Sequence, residues 1–246
     1  MNNKLYDMIF KRKSFHLFRN IGNLNITDDE LNDIENEFYK LIPLVSDIKV
    51  KIKINKSSYR GAEYQIEIYS EVKDNYLNNV GYLGEQLDLY LVSKNIGTLW
   101  YGIGKVDNKT IDGMDFTIMI LIAKIDSDDK FRKDMYKSKR KDLSIVWYGD
   151  YYKEIGNIVR YSPSACNQQP WYVESSSNEL IIHRVKNGRG IMPLKMILYY
   201  SQIDIGIFLC ILDLCLNKNN IKYNRDLFIE DSNSSNHILC KYNIID

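Results

Sequence analysis

The chain has 246 residues, 45% hydrophobic and 26% charged, which is enough to bury a substantial core. Its 33 Lys and Arg residues nearly balance its 32 Asp and Glu residues, so charge gives no argument for nucleic acid or an anionic membrane as a partner. No CxxC pair and no metal-ligand spacing is present, which predicts a reducing, cytoplasmic compartment and no metal site. The N-terminus lacks the apolar segment of a signal peptide. The most apolar run, Ile203–Leu216, is shorter than the roughly 20 residues that span a membrane, which predicts a soluble protein.

The first half of the chain is predicted to alternate helices and strands. Leu5–Phe10 has the pattern of a short helix that leads into a basic turn. Thr27 and Glu30 have the spacing of a capping box, which predicts a helix from there to about Leu41, ended by Pro43. Apolar patterns predict the remaining elements, which are strands at Lys49–Ile54, Tyr64–Tyr69 and Phe116–Ala123 and a helix over Gly81–Ile96.

The second half continues this alternation. The charge-rich stretch Lys130–Lys141 is expected to be at least partly solvated. A helix is predicted over Tyr151–Tyr161, and the loop Ser162–Trp171 follows it. The remaining predicted elements are strands at Trp171–Glu174, Leu180–Arg184 and near Ile238–Ile244, and a long helix over Ile203–Asn219.

An internal sequence similarity relates the two halves. Val80–Leu83 and Ile205–Phe208 share a glycine at the second position, and the similarity continues along both helices at an offset of 125 residues. A single match between Leu-rich helices is weak evidence, but this offset is about half the chain. We therefore predict an α+β fold of two half-repeats, residues 1–140 and 141–246, forming one integrated unit. The repeats would make an intramolecular pseudo-dimer with central β-sheets flanked by helices, so we expect a monomer.

Four stretches carry candidate chemistry, and the most specific is Pro163–Trp171, which reads PSACNQQPW. The others are Arg12–Phe18 (RKSFHLF), Gly81–Gly102 and Lys139–Ser144 (KRKDLS). Together they resemble the motifs of the nitroreductase family, whose loop reads Pro-Ser-x-x-Asn-x-Gln-Pro-Trp. Ordinary members carry this loop soon after the basic N-terminal motif, whereas here it lies in the second half. This order is similar to that of the fused subgroup called "putative TM nitroreductase", and the resemblance extends from about residue 4 to about residue 222.

The resemblance implies a flavoprotein that binds flavin mononucleotide (FMN) where the two repeats meet. In the family, one subunit contributes the basic motif and its partner contributes the Pro-Ser loop. Here the first half keeps Arg12, Ser14 and Arg140, but its counterpart of the loop, near Leu44–Lys49, has lost the motif. The second half keeps Pro163–Trp171 but has no Arg-x-Ser motif. We therefore expect one composite site, and one FMN, per chain.

The basic motifs are expected to hold the FMN phosphate. Arg12 and Arg140 suit a dianionic phosphate because a guanidinium can bind its oxygens in pairs. Ser14 can add a hydroxyl donor, and Lys139 a further positive charge. His16 stands where the family usually has Lys or Arg beside the flavin N1 and O2. Because histidine is only partly protonated near neutral pH, the potential of the flavin could depend on pH.

The Pro-Ser loop and the segment after the glycine-containing helix are expected to surround the flavin ring. Asn167 and Gln169 have amides that can bond its isoalloxazine or ribityl edge, and the small Ser164 and Ala165 leave room at its face. A backbone amide within Leu99–Gly102 could point toward N5. The remaining expected contacts with the cofactor are Lys13, Leu99, Trp100, Gly102 and Pro163. We expect no catalytic side chain, because the flavin itself carries the chemistry.

By resemblance the reaction is ping-pong. NADH or NADPH would reduce FMN, and a small electron-poor acceptor, such as a nitro compound or a quinone, would then be reduced. Two alternatives stay open: a flavin enzyme of different chemistry on the same fold, and a degenerate relative that binds flavin weakly or not at all. His16 and the lost second site favour the degenerate relative somewhat. The sequence contains no Walker or Rossmann glycine motif and does not distinguish NADH from NADPH.

Overall fold

The computed structural model describes residues 4–185, 193–229 and 236–245, so the outer limits predicted for the two halves lie outside the described residues. The α-helices are α1 (Lys4–Lys11), α2 (Asp28–Phe38), α3 (Tyr76–Ser93), α4 (Leu143–Val146), α5 (Lys153–Val159) and α6 (Leu194–Lys218). The strands are β1 (Val50–Lys56), β2 (Tyr64–Ser70), β3 (Ile96–Tyr101), β4 (Thr110–Ile111), β5 (Met114–Lys124), β6 (Trp147–Tyr148), β7 (Trp171–Ser175), β8 (Glu179–Val185), β9 (Lys222–Leu227) and β10 (Asn236–Ile245).

The described strands form two sheets with related topologies. The order is β1-β2-β5-β3 in the first sheet, where β4 also pairs with β5, and β6-β7-β8-β10-β9 in the second. The strand pairs are antiparallel except β6 with β7. Both sheets follow the chain order strand, strand, helix, strand, strand: β1-β2-α3-β3-β5 in the first and β7-β8-α6-β9-β10 in the second. The predicted α+β fold of two half-repeats is confirmed.

Helices α3 and α6 pack against each other, and each also contacts the sheet of its own repeat. Their approach is close because each helix has a glycine at the contact. Gly81 lies against the carbonyl oxygen of Ile203, and Gly206 lies against that of Asn78, so a Cβ atom on either glycine would collide with backbone. These are the two glycines of the internal sequence similarity. The reciprocal contact is what a pseudo-twofold axis between the repeats requires.

Helix α6 is long and rich in apolar residues. Its segment Lys195–Lys218, of 24 residues, is long and apolar enough to cross a membrane, and among the described helices it alone passes this test. However, 78% of its most apolar window is buried inside the protein. A helix that is covered on all sides by other elements has the same composition, so burial in the core accounts for it.

The predicted capping box of α2 is present, since Glu30 N donates to Thr27 Oγ1 (3.2 Å) and Thr27 N donates to Glu30 Oε2 (3.0 Å). Several predicted element boundaries, however, differ from the structure. Helix α6 begins at Leu194 rather than Ile203, and α3 at Tyr76 rather than Gly81. Strands β3 and β9 were not predicted, because each follows a helix directly and is specified by pairing with a strand distant in sequence.

Candidate functional site

A cavity of about 280 Å³ lies between the two repeats, close to the lower end of the usual size for small-molecule sites. The first repeat lines it with Ser14, His16, Arg60, Ile118 and residues 99–103. The second repeat lines it with Ile203, Asp204, Ile207, Tyr200 and residues 163–166. Its surface is mostly apolar side chains with a few polar groups. The two stretches that were predicted to come together, the N-terminal motif and the Pro-Ser loop, both line this cavity.

Backbone contacts place the N-terminal motif at the cavity. Ser14 forms an isolated bridge to Thr98 in β3, and Phe15 N donates to Thr98 O (2.9 Å). The Phe15 ring is buried, whereas His16 next to it is exposed. The motif therefore lies alongside β3 at Thr98, and the rest of that strand with the two residues after it, 99–103, forms the adjoining wall.

The Pro-Ser loop is held in shape by its own polar side chains. Ser164 Oγ accepts from Gln169 N (3.0 Å), and Asn167 Nδ2 donates to Lys139 O (3.2 Å). The Gln169 side chain is 3% exposed and accepts from Lys141 N (2.8 Å). Asn167 and Gln169 therefore fix the loop and do not line the cavity, whereas residues 163–166 do.

Three arginines lie near one another, and one of them, Arg12, contacts Ser14. Arg12 is 3% exposed; its Nε donates to Asp88 Oδ2 (2.8 Å) and its Nη1 to Ser14 Oγ (3.3 Å). Burial lowers the pKa of Arg132 to about 10, and repulsion from Arg12 and Arg140 adds to this effect. The pKa of Arg140 is also lowered, first by burial and then by Arg12. We call Arg12, Arg132 and Arg140 the guanidinium cluster.

The guanidinium cluster carries surplus positive charge. Its carboxylate partner is Asp88, which also accepts from Thr98 Oγ1 (2.6 Å) and Trp100 Nε1 (3.0 Å). The nearby Glu85 is fully buried, and burial followed by the Asp88 carboxylate raises its pKa well above its ordinary value. The raised pKa favours the protonated form of Glu85, and three guanidinium groups lie near the two carboxyl groups of Glu85 and Asp88. Guanidinium groups therefore outnumber carboxyl groups in the cluster, and its excess positive charge suits an anion such as a phosphate.

Two buried nitrogens of the cluster have no hydrogen-bond partner within the described residues, Arg12 Nη2 and Arg140 Nε. A buried guanidinium donor without an acceptor is costly, and such groups are usually satisfied by a ligand or water. Unpaired donors, surplus positive charge and a neighbouring serine hydroxyl are the features of an anion site. The residues present therefore fit the terminal phosphate of a nucleotide such as FMN.

The structure brings most of the predicted site residues together. Those that line the cavity are Ser14, His16, Leu99, Trp100, Gly102, Pro163, Ser164 and Ala165. Arg12 and Arg140 belong to the guanidinium cluster. Lys13 and Lys139 do not line the cavity: Lys13 Nζ donates to the carbonyl of Lys130 and lies near enough to Arg132 for the two charges to repel each other, and Lys139 is exposed.

Sequence reasoning missed Arg132, Arg60, Tyr200 and Asp204. Arg132 stood in a stretch interpreted as partly solvated, although the neighbouring Phe131 and Met135 are buried and fold the stretch onto the core. Tyr200 donates to the carbonyl of Gly102 and so joins the two repeats across the cavity. The signal for Asp204 was present, because it is a carboxyl residue within an apolar helix.

The equivalent position in the second repeat does not have the surplus positive charge of the guanidinium cluster. Asp213, at the 125-residue offset from Asp88, accepts from Tyr82 Oη (2.6 Å), Tyr242 Oη (2.7 Å) and Arg225 Nη1. Here one arginine faces one carboxylate, and the other partners are uncharged phenols. The repeats thus share a buried aspartate at the same place, but only the first repeat surrounds it with surplus positive charge.

Comparison with known proteins gives the same family as the motifs. The sequence matches the family described as "Putative TM nitroreductase" over residues 4–215. A crystal structure of a putative nitroreductase from Thermotoga maritima is similar over 100% of this chain and 94% of that chain, with 20% identity and a TM-score of 0.66. Its fold is therefore shared along the whole chain. No match was found among curated proteins.

Two further structures of nitroreductase-family proteins are similar to part of this chain. A nitroreductase family protein from Clostridium difficile is 11% identical and covers 62% of this chain and 99% of itself, with a TM-score of 0.44. A nitroreductase-like family protein from Bacillus cereus is 13% identical and covers 57% of this chain and 92% of itself, with a TM-score of 0.42. The family match covers most of the sequence, so the chain belongs to the "Putative TM nitroreductase" family of oxidoreductases.

Proposed function

We propose that this protein is an FMN-dependent oxidoreductase of the cytoplasm. It takes electrons from NADH or NADPH and reduces a small electron-poor acceptor, such as a nitro compound or a quinone. Membership of the nitroreductase family supports an oxidoreductase. The observation that carries the choice of cofactor is the guanidinium cluster beside Ser14, because its surplus charge and its unpaired buried donors suit a phosphate dianion.

The chain's own residues would hold FMN at its two ends. Arg12, Arg132 and Arg140 would bind the phosphate, with the Ser14 hydroxyl as a further donor. The apolar walls of the cavity, which include Leu99, would exclude water from the ring. When bound, FMN supplies hydride acceptance from a nicotinamide and hydride donation to an acceptor.

The protein would position the two substrates in turn. The cavity is lined by both repeats, so one chain supplies a complete site, and the protein is proposed to act as a monomer with one FMN. His16 is exposed at the cavity, where a protonated imidazole would add positive charge. Donor and acceptor would use the same cavity one after the other, which gives ping-pong kinetics.

Steady-state kinetics of the purified protein with added FMN test this proposal. We expect oxidation of NADH or NADPH that depends on a quinone or a nitroaromatic compound, with parallel lines in double-reciprocal plots. Replacing Ile207 by Trp, which fills the cavity from α6, should abolish turnover, whereas the exposed Ile145→Trp should not. Binding of FMN without oxidation of either nicotinamide would contradict the proposed reaction and favour a flavin enzyme of different chemistry.

A further inference from the structure

Asp204 lies on α6 and lines the cavity between the repeats. It is 4% exposed, and both of its carboxyl oxygens accept from Ala165 N, at 3.0 and 3.1 Å. This bond joins α6 to the Pro-Ser loop. A carboxyl group inside an apolar cavity is unusual, because burial strongly disfavours its ionised form.

The other repeat provides an internal comparison. Asn79, at the 125-residue offset from Asp204, lies on α3 and its Oδ1 accepts from Leu44 N (2.9 Å) and Val45 N (3.0 Å). These two residues follow Pro43 as Ser164 and Ala165 follow Pro163. An amide oxygen therefore suffices to hold the loop in the repeat that has lost the Pro-Ser motif. A titratable group stands at this position only in the second repeat, where the residue itself lines the cavity.

The surroundings of Asp204 favour its protonated form. The titratable or charged groups that line the same cavity are His16, Arg60, Tyr101, Cys166 and Tyr200, and none of them forms an ion pair with it in the described part of the chain. Burial raises the pKa of Asp204 to about 8, although the amide of Ala165 acts to lower it. Near pH 7 the carboxyl group therefore holds a proton inside the cavity.

We propose that Asp204 is a catalytic proton donor, which gives its carboxyl proton to the acceptor as the acceptor is reduced in this cavity. The inference rests on the proposed function and adds a residue to it. Reduction of a quinone to a hydroquinone consumes two electrons and two protons. The electrons and one proton come from NADH or NADPH as the equivalent of a hydride, and the second proton comes from Asp204. The O–H bond of Asp204 breaks as that of the hydroquinone forms, and the carboxylate regains a proton from water.

The first test needs no activity. Protein labelled with isotope only in the aspartate carboxyl carbons is titrated by NMR without cofactor, which leaves the buried Glu85 unobserved. We expect one aspartate signal that titrates with a midpoint near pH 8 and that is missing from Asp204→Asn. If no aspartate of the unaltered protein titrates above pH 7, the proposal is overturned.

The second test separates the two halves of the reaction by stopped-flow kinetics with p-benzoquinone. A general acid contributes about 100-fold or more, so Asp204→Asn should slow quinone reduction at pH 7 by about 100-fold. Reduction by NADH or NADPH should change by less than about 3-fold. In the unaltered protein quinone reduction should fall as the pH rises above about 8, whereas in Asp204→Asn it should be slow and independent of pH.

The matched control is Asn79→Asp, which makes the reciprocal change in the other repeat and should keep the pH profile of the unaltered protein. Asp204→Asn places at this position an amide oxygen like the one by which Asn79 holds its loop, so the variant should fold and bind FMN. Equal rates of quinone reduction by Asp204→Asn and the unaltered protein would overturn the role of Asp204 but not the proposed function. If the unaltered protein bound FMN but oxidised no nicotinamide, the proposed function itself would fail, and the role of Asp204 as a donor in that reaction would fail with it.

Discussion

Replacing Arg132 by alanine is expected to weaken the binding of FMN by about 10- to 100-fold, because hydrogen bonds between charged partners contribute about 1.5–3 kcal/mol. The same change should not destabilise the protein without cofactor. Burial and repulsion from Arg12 and Arg140 lower the pKa of Arg132 to about 10. Its removal relieves that repulsion, and we expect the free energy of unfolding to stay unchanged or to rise by about 1 kcal/mol. A gain in stability together with a loss of affinity is typical of a residue whose charge serves a ligand.

Fluorescence titration with FMN and with riboflavin measures this effect. Riboflavin lacks the phosphate, so its affinity should be nearly the same for Arg132→Ala and the unaltered protein. Lys133→Ala removes an exposed positive charge from the neighbouring position and serves as the control for long-range electrostatics. An equal loss of affinity for FMN and riboflavin would show that Arg132 does not recognise the phosphate. Arg12 is a poorer test, because its removal leaves the buried Asp88 without its partner, which costs about 3–5 kcal/mol.

Replacing Gly206 by alanine is expected to lower the free energy of unfolding by about 3 kcal/mol, since overpacking against backbone cannot be relieved by a side-chain movement. The added Cβ atom would collide with the carbonyl of Asn78 and approach Tyr82 N. Gly81→Ala should have an effect of similar size, because its Cβ atom would meet the carbonyl of Ile203 in the same way. Equal losses at the two positions follow from the pseudo-twofold relation of α3 and α6.

Urea unfolding of the two glycine variants measures these losses. Ser93→Ala, an exposed change on α3, is the control and should alter the free energy of unfolding by less than about 0.5 kcal/mol. A loss for only one of the glycine variants would contradict the reciprocal packing of the helices. A small effect for both would mean that α3 and α6 can separate without cost.

The repeat architecture could be predicted because short, contiguous stretches of sequence indicate it. The paired glycines, Gly81 and Gly206, are conspicuous within Leu-rich helices, and the Pro-Ser loop is a contiguous motif. The cavity between the repeats followed from combining the two observations. Strands β3 and β9 were missed because their positions depend on pairing with β5 and β10, which lie further along the chain.

The composition of the site could be predicted only in part. Arg12 and Ser14 belong to a recognisable motif, whereas Arg132 joins them through the folding of a charged stretch onto the core. Asn167 and Gln169 were predicted as flavin contacts because of their amides, yet those amides bond to the backbone of residues 139 and 141. Short motifs indicate which residues lie near a site. They do not indicate which atoms the site leaves free for a ligand.

The two repeats differ in the surroundings of their buried aspartates. Asp88 lies within a cluster that has surplus positive charge, whereas Asp213 is balanced by Arg225 and two tyrosines. Of the two halves, only the second carries the complete Pro-Ser loop. We therefore propose that this symmetric framework holds one composite site.

The most direct test is the visible absorption spectrum of the purified protein saturated with FMN, with the released flavin quantified against chain concentration. We expect one FMN per chain, and the Arg132→Ala variant should retain less flavin after gel filtration. Two FMN per chain would contradict the loss of the mirror site. A protein that takes up no FMN would contradict the flavin site itself and make a degenerate relative of the family the better interpretation.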